Sequence, residues 1–159
     1  MKTSIRKSAF LTTVVLLVLT AVPSFAQQER DVIEVLRAQI QSNRQALVAE
    51  NLGLTSEESE KFWPVYREFQ AERGKLEDRR IDLLIRFRDN FDTLTDEQAK
   101  KLLNDYLKLA DDRNKLRKKY ARIFAKILPQ KKVLRYFQIE NKIDTIIEFD
   151  LAKVVPLAE

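Results

Sequence analysis

The side chains that carry most enzymatic chemistry are missing from this chain. Its 159 residues include no His and no Cys, and Met1 is the only methionine. Beyond Met1, then, no thiolate, imidazole or thioether can ligate a soft metal. Carboxylates alone can hold a hard cation, but no EF-hand spacing occurs. Neither a Cys–His nor a Ser–His pair can be built. The two glycines, Gly53 and Gly74, are too few for a loop that cradles phosphate. Asp111-Asp112 and Glu57-Glu58 are adjacent carboxylates. Neighbours on a helix point about 100° apart, so these pairs read as solvated helix surface rather than as acid/base dyads. The residue types point to a protein that is not an enzyme and needs no metal or cofactor.

Charge is what remains. From Arg113 to Arg135 the chain carries ten basic residues and no acid: Arg113, Lys115, Arg117, Lys118, Lys119, Arg122, Lys126, Lys131, Lys132 and Arg135. From Gln27 to Glu60 the balance reverses, with seven acids against three bases. Two readings of the basic run stand. It is a solvated helix face neutralised by the acidic first helix, or it is a surface that steers acidic partners inward. On the second reading Arg113, Arg117, Arg122 and Lys126 supply attraction, while Tyr120 and Phe124 supply apolar contact with a client. Arg73 and Arg113 are unusual because both fall within apolar stripes. An Arg in that position must pair with a carboxylate or lift its head into water. It either fixes register beside a seam or marks a stretch where the seam is open, mixed apolar and basic, and able to hold a partner loosely.

These residues are positioned by helices. Leu54-Thr55-Ser56-Glu57-Glu58 and Leu94-Thr95-Asp96-Glu97-Gln98 lie forty positions apart, and each is a helix-start signal. Thr55 and Thr95 can accept from a first-turn N–H, and Glu58 and Gln98 can reach back to the Thr N–H, closing a capping box. The likeness continues: Lys61 matches Lys101, Tyr66 matches Tyr106, Arg73 matches Arg113, Lys75 matches Lys115 and Leu76 matches Leu116. A forty-residue repeat with one long helix per unit predicts a helical scaffold.

Four helices are expected. The first spans about Asp31 to Asn51, with Val32, Val35, Leu36, Ile40, Leu47 and Val48 apolar, and ends at Gly53, a natural C′ residue. The second spans Ser56 to Phe91, with the stripe Tyr66, Phe69, Arg73, Leu76, Arg80, Leu83, Phe87 and Phe91, and with a kink expected near Pro64. The third spans Asp96 to Leu128, with the stripe Leu102, Tyr106, Leu109, Arg113, Leu116, Tyr120, Ile123 and Ile127. Pro129 ends it and can also occupy the first turn of the fourth. The fourth covers Gln130 to Leu151 through Val133, Tyr136, Phe137, Ile143, Ile146, Ile147 and Leu151. The apolar tail Val154-Val155-Pro156-Leu157 is expected to pack back on the bundle or on a partner. The aromatic residues read mainly as core, with Phe62 and Trp63 locking the first helix against the hairpin.

Residues 1–26 read as a cleaved signal peptide. Lys2, Arg6 and Lys7 form a positive n-region, Ala9 to Val22 a mostly apolar core, and Ser24-Phe25-Ala26 a cleavage site. An uncleaved anchor is the alternative. No Cys follows the apolar core, so lipidation there is excluded. Residues 27–159 then form one helical domain of 133 residues. The whole chain has 29 basic and 24 acidic residues; without the n-region the balance is 26 to 24, a net +2. Export to the periplasm makes nucleic acid a poor partner. Anionic lipid and unfolded acidic protein segments fit that compartment better.

With a signal sequence, an all-helical body and the paired motifs Leu54–Glu58 and Leu94–Gln98, the chain resembles the Spy/CpxP family of periplasmic proteins, the LTxxQ-motif family. The second motif matches fully; the first has Glu58 where the family has Gln, and Glu can close the same box. Phe62-Trp63-Pro64-Val65-Tyr66, Leu128-Pro129 and Phe137-Gln138-Ile139-Glu140-Asn141-Lys142 are similar to the branch labelled periplasmic heavy-metal sensor or refolding chaperone. The resemblance covers most of Leu52 to Leu151. It implies an all-α, elongated, bent four-helix hairpin paired into a cradle-shaped homodimer. It also implies ATP-independent holdase activity on unfolded or misfolded envelope proteins in the envelope stress response, on a concave basic surface with apolar patches. The alternative it implies is a sensor accessory that binds a membrane sensor kinase or an extracytoplasmic sigma-factor regulator. Metal sensing, known among relatives, has no soft ligand to use here.

Overall fold

The computed structural model describes Ile40, residues 42–153 and residues 155–158. They belong to one compact unit, Gln39–Glu159. The expected signal peptide and the start of the first helix lie outside the described residues. Within them the fold is all-α: four helices and no strand. Helix α1 is described over 42–52, α2 is Ser56–Asp89, α3 is Asp96–Phe124 and α4 is Gln130–Ala152. A short 3-10 turn, Phe91–Thr93, joins α2 to α3.

Both capping boxes form. Glu58 N donates to Thr55 Oγ1 (3.2 Å) and Thr55 N to Glu58 Oε2 (2.8 Å). Gln98 N donates to Thr95 Oγ1 (3.3 Å) and Thr95 N to Gln98 Oε1 (2.9 Å). Each box satisfies two donors that the first turn would otherwise leave orphaned. Leu54 and Leu94, one position before each cap, are half-buried. Gly53 ends α1 at φ +63°, the left-handed conformation that a Cβ resists.

Helices α2 and α3 both end earlier than expected, whereas α1 and α4 each run one residue further. Helix α2 stops two residues early, at Asp89, where Asn90 N turns back to Phe87 O (3.3 Å). Helix α3 ends at Phe124 rather than Leu128, because Lys126 N and Ile127 N bond three residues back, to Ile123 O and Phe124 O (both 3.0 Å). That tighter turn delivers the chain to Pro129, which sits at the N-cap of α4 rather than inside its first turn. Helix α2 runs without interruption through Pro64. Pro64 and Glu60, whose carbonyl loses its donor, are both exposed, so water can serve that carbonyl.

The hairpin α2–α3 carries a ladder of ion pairs: Glu72–Lys119 (2.6 Å), Arg79–Asp112 (2.8 Å) and Arg86–Asp105 (3.0 Å). Each seven-residue step up α2 is a seven-residue step down α3, the register of an antiparallel coiled coil. In this register the repeat partners Leu76 and Leu116 lie within one residue of facing each other. The expected stripe of α3 is corrected at Tyr106, which is 63% exposed although its repeat partner Tyr66 is buried. Asp105 faces α2, so Tyr106, one position on, is turned about 100° away.

The core is an aromatic cluster at the opposite end of the hairpin from its tip. Phe62, Tyr66 and Phe69 of α2, Tyr120 and Phe124 of α3, and Tyr136 of α4 are buried together with Val48 and Leu52 of α1. Ring centroids lie 4.8 Å apart for Phe124–Tyr136 and 5.0 Å for Phe69–Tyr120, in tilted or edge-on geometries. Trp63 is half-buried and edge-on to Phe62. Away from this cluster the packing thins. Phe87 and Phe91 are only half-buried at the hairpin tip, and Ile40, Leu47 and Ile146, expected as apolar core, are exposed.

Candidate functional site

Much of the basic run is consumed by the fold. Lys119 pairs with Glu72 and Lys115 with Asp112. Lys132 donates to Gly53 O (2.8 Å) and pairs with Glu58, and Arg135 Nε donates to Asn51 O (2.6 Å). Two cations of α4 therefore cap the carbonyl end of α1, where the helix dipole favours positive charge. Among the described residues the neutralising acids lie mainly on α2 and α4; three of the four acids of the expected first segment, at positions 29, 31 and 34, lie outside the described residues. Lys118, Arg122, Lys126 and Lys131 have no acidic partner among the described residues.

Arg113 and Arg117 enter an internal ionic network. Arg44 of α1, 2% exposed, donates to Glu140 (2.5 Å) and Asp144 (2.9 Å) of α4. Arg73 reaches the same two acids (3.4 and 2.5 Å), and Arg117 reaches Asp144 (3.1 Å). Arg113 contacts Glu77 (3.4 Å) and Glu148 (3.2 Å), and Arg80 contacts Glu148 (3.7 Å). Gln70 adds a 3.0 Å bond to Glu140. Burial alone would raise the Asp144 pKa, but Arg73 and Arg44 outweigh it and hold the carboxyl below its ordinary range. Arg73 and Arg113 are each paired with carboxylates, and each also lines an opening.

That opening is a trough of about 350 Å³ between α2, α3 and α4. Phe69, Leu76, Leu116, Ala121 and Phe137 give it apolar walls; Arg73, Arg113, Arg117, Lys118, Glu140, Asn141 and Asp144 give it polar ones. Lys118 and Asn141 are exposed at its rim. Arg113 also lines a second cavity, about 320 Å³, walled by Leu83, Leu84, Tyr106, Leu109, Leu151 and Val155. Val155 places part of the tail against the bundle, while Leu157 stays exposed. Arg113 joins the two cavities along one side of the hairpin.

The six expected contact residues therefore separate. Arg113 and Arg117 are brought together in the trough. Arg122 and Lys126 are exposed and line neither cavity. Tyr120 and Phe124 are corrected to core: both are buried among the aromatic rings, and Tyr120 donates to Glu72 (2.8 Å), so neither can meet a client in this conformation. Leu76, Phe137 and Asn141 lie outside the basic run, and Lys118, within it, was not among the six expected contacts; all four line the trough. The repeat match of Leu76 to Leu116, beside Arg73 and Arg113, was the available signal.

Among the described residues no group of three or more metal-ligating side chains occurs, and no helix is long and apolar enough to cross a membrane. Comparison of this chain with protein families, with curated proteins and with solved structures finds no match.

Proposed function

We propose that this protein is a periplasmic, ATP-independent holdase of the Spy/CpxP kind, and that the trough is its client-binding surface. The observation that carries the proposal is the trough itself, an open groove with apolar walls and guanidinium groups already oriented by acids behind them. Such a surface suits extended, unfolded segments that present both apolar and acidic side chains. Attraction acts over the ~8 Å screening length of physiological salt. The paired arginines give up little of their existing bonding, so binding stays weak and release needs no nucleotide. A cradle-shaped homodimer belongs to the same proposal; the exposed face of α3 around Leu103, Tyr106 and Leu107 is the apolar surface available to a second copy.

The test is suppression of aggregation of a chemically unfolded client, followed by light scattering. Filling the trough with Ala121→Trp and Asn141→Trp is expected to abolish suppression, whereas Arg122→Glu with Lys126→Glu, outside it, is expected to leave suppression intact. Equal activity in both variants would refute the assignment. A pull-down from periplasmic extract separates the other partner class: many unrelated clients fit a holdase, and one membrane sensor protein fits the signalling accessory.

A further inference from the structure

Arg44, Arg73, Arg80, Arg113 and Arg117 form one connected ionic network with Glu77, Glu140, Asp144 and Glu148. Five guanidiniums face four carboxylates, so among the described residues the network is one anion short. The deficit falls on Arg80. The other four arginines each donate at least one hydrogen bond to a carboxylate of the network. Among the described residues Arg80 donates none: its ion pairs to Glu77 and Glu148 are both 3.7 Å long, beyond hydrogen-bond reach. Its side chain is only 21% exposed, and a covered guanidinium with five N–H donors needs acceptors. Neighbouring acids do not supply them. Asp82, Asp105 and Asp112 line a separate cavity with Arg79, Arg86 and Lys108. Position 150, Asp78 and Asp111 stand, by helical register, about 150° around their helices from the residues beside Arg80.

Arg80 and Arg113 open onto the second cavity, of about 320 Å³, whose remaining wall is largely aliphatic: Leu83, Leu84, Leu109, Leu151 and Val155. The chain does not fill this space itself, for Leu157, the next large apolar residue of the tail, is 89% exposed. We infer that the cavity binds a single-chain anionic amphiphile, an alkyl carboxylate or alkyl phosphate, with its chain along the leucines and its headgroup on Arg80. The missing charge calls for an anion, and the guanidinium fork fits two oxygens of either headgroup. The leucine wall calls for an alkyl chain beside that anion. The volume lies at the small end of ligand sites and suits one chain rather than two. Glu148 is exposed, so its carboxylate can turn to water while the headgroup takes Arg80. This cavity shares only Arg113 with the trough, so the inference stands whether or not the trough holds clients.

Isothermal titration calorimetry on the full chain tests it, with decanoate and decyl phosphate below their micelle concentrations. One ligand per chain is expected, and the tighter of the two names the headgroup. Acetate and inorganic phosphate, which lack the chain, are expected to bind at least about a hundredfold more weakly. 1-Decanol, which lacks the charge, is expected to bind at least about tenfold more weakly. Arg80→Met keeps the apolar stem and is expected to lose about tenfold or more in decanoate affinity. Ala152 lines the cavity and is exposed, so Ala152→Trp is expected to keep the helical circular dichroism of the parent and to abolish binding. Ala121→Trp, in the trough, is expected to leave decanoate binding unchanged. Failure of both amphiphiles to bind overturns the inference, as does equal affinity for decanol or for the chainless anions. Binding lost in Ala121→Trp but kept in Ala152→Trp also overturns it, by placing the amphiphile in the trough. So does a dimer that Ala152→Trp breaks while no amphiphile binds, which assigns the cavity to a second copy.

Discussion

Arg44 is a buried guanidinium facing two carboxylates, both of which Arg73 shares and one of which, Asp144, Arg117 also meets. Removing one partner of such a cluster strands the others without water. Arg44→Met is therefore expected to destabilise the protein by about 3–5 kcal/mol in urea denaturation. The tyrosine hydroxyls give a finer contrast. Tyr120 donates to Glu72, a charged acceptor, so Tyr120→Phe is expected to cost about 1–2 kcal/mol. The Tyr136 hydroxyl is buried and makes no hydrogen bond of normal geometry, although Glu140 and Gln70 lie close enough to bear on its ionisation. Tyr136→Phe is thus expected to change stability by less than about 0.5 kcal/mol. A reversed order in the same denaturation series would contradict these placements.

At the scale of elements, the two capping boxes do unequal work. The second closes only its own helix. The first also hands Glu58 to Lys132, tying the start of α2 to α4. Thr95→Ala is expected to cost about 1 kcal/mol and Thr55→Ala measurably more, as read by thermal unfolding. These starts were legible in the sequence because a cap is local chemistry: Thr, three residues, then Glu or Gln. The long helices and their order were legible for the same reason. The seam was not. Whether Tyr106 or Asp105 faces α2 is a single 100° step, and it is decided by the seven-residue ion-pair ladder between two helices rather than by either helix alone. The basic run was misleading in a comparable way. Its composition was plain, but Lys132 and Arg135 were already assigned to carbonyls of α1, some eighty residues away. The Glu140–Asp144–Glu148 spacing of four places three acids along one face of α4, and the fold answers them with Arg44, Arg73, Arg113 and Arg117 from the other helices.

For the molecule as a whole, ionisation sets the limits of stability. Glu58, Glu72, Asp112 and Asp144 are all held below their ordinary pKa in the folded state. The unfolded chain therefore takes up protons first as pH falls. Their contribution is fully present above the ordinary carboxylate range, near pH 4, and is lost as the solution is acidified through the folded-state values. At the other limit, burial and then the bond to Glu72 push the Tyr120 phenol up to about 12, and burial pushes Tyr66 and Tyr136 up as well. Stability that rests on neutral phenols is present below about pH 10 and is lost as they are forced to ionise. The melting temperature is expected to be flat between about pH 5 and 9 and to fall on both sides. With Asp144→Asn, the drop on the acid side is expected to become shallower.

Rings pack densely where α1 and α4 meet the hairpin, and the cover thins toward its tip, so the trough lies between a densely packed end and a more open one. Unfolded chains are expected to bind in this trough and not on the outer cationic face of α3. Photo-crosslinking tests that most directly, with benzoylphenylalanine placed in turn at positions 118, 141, 122 and 126 and a chemically unfolded client added. Adducts from 118 and 141, with none from 122 and 126, are the predicted result. Adducts from 122 and 126 alone would contradict it.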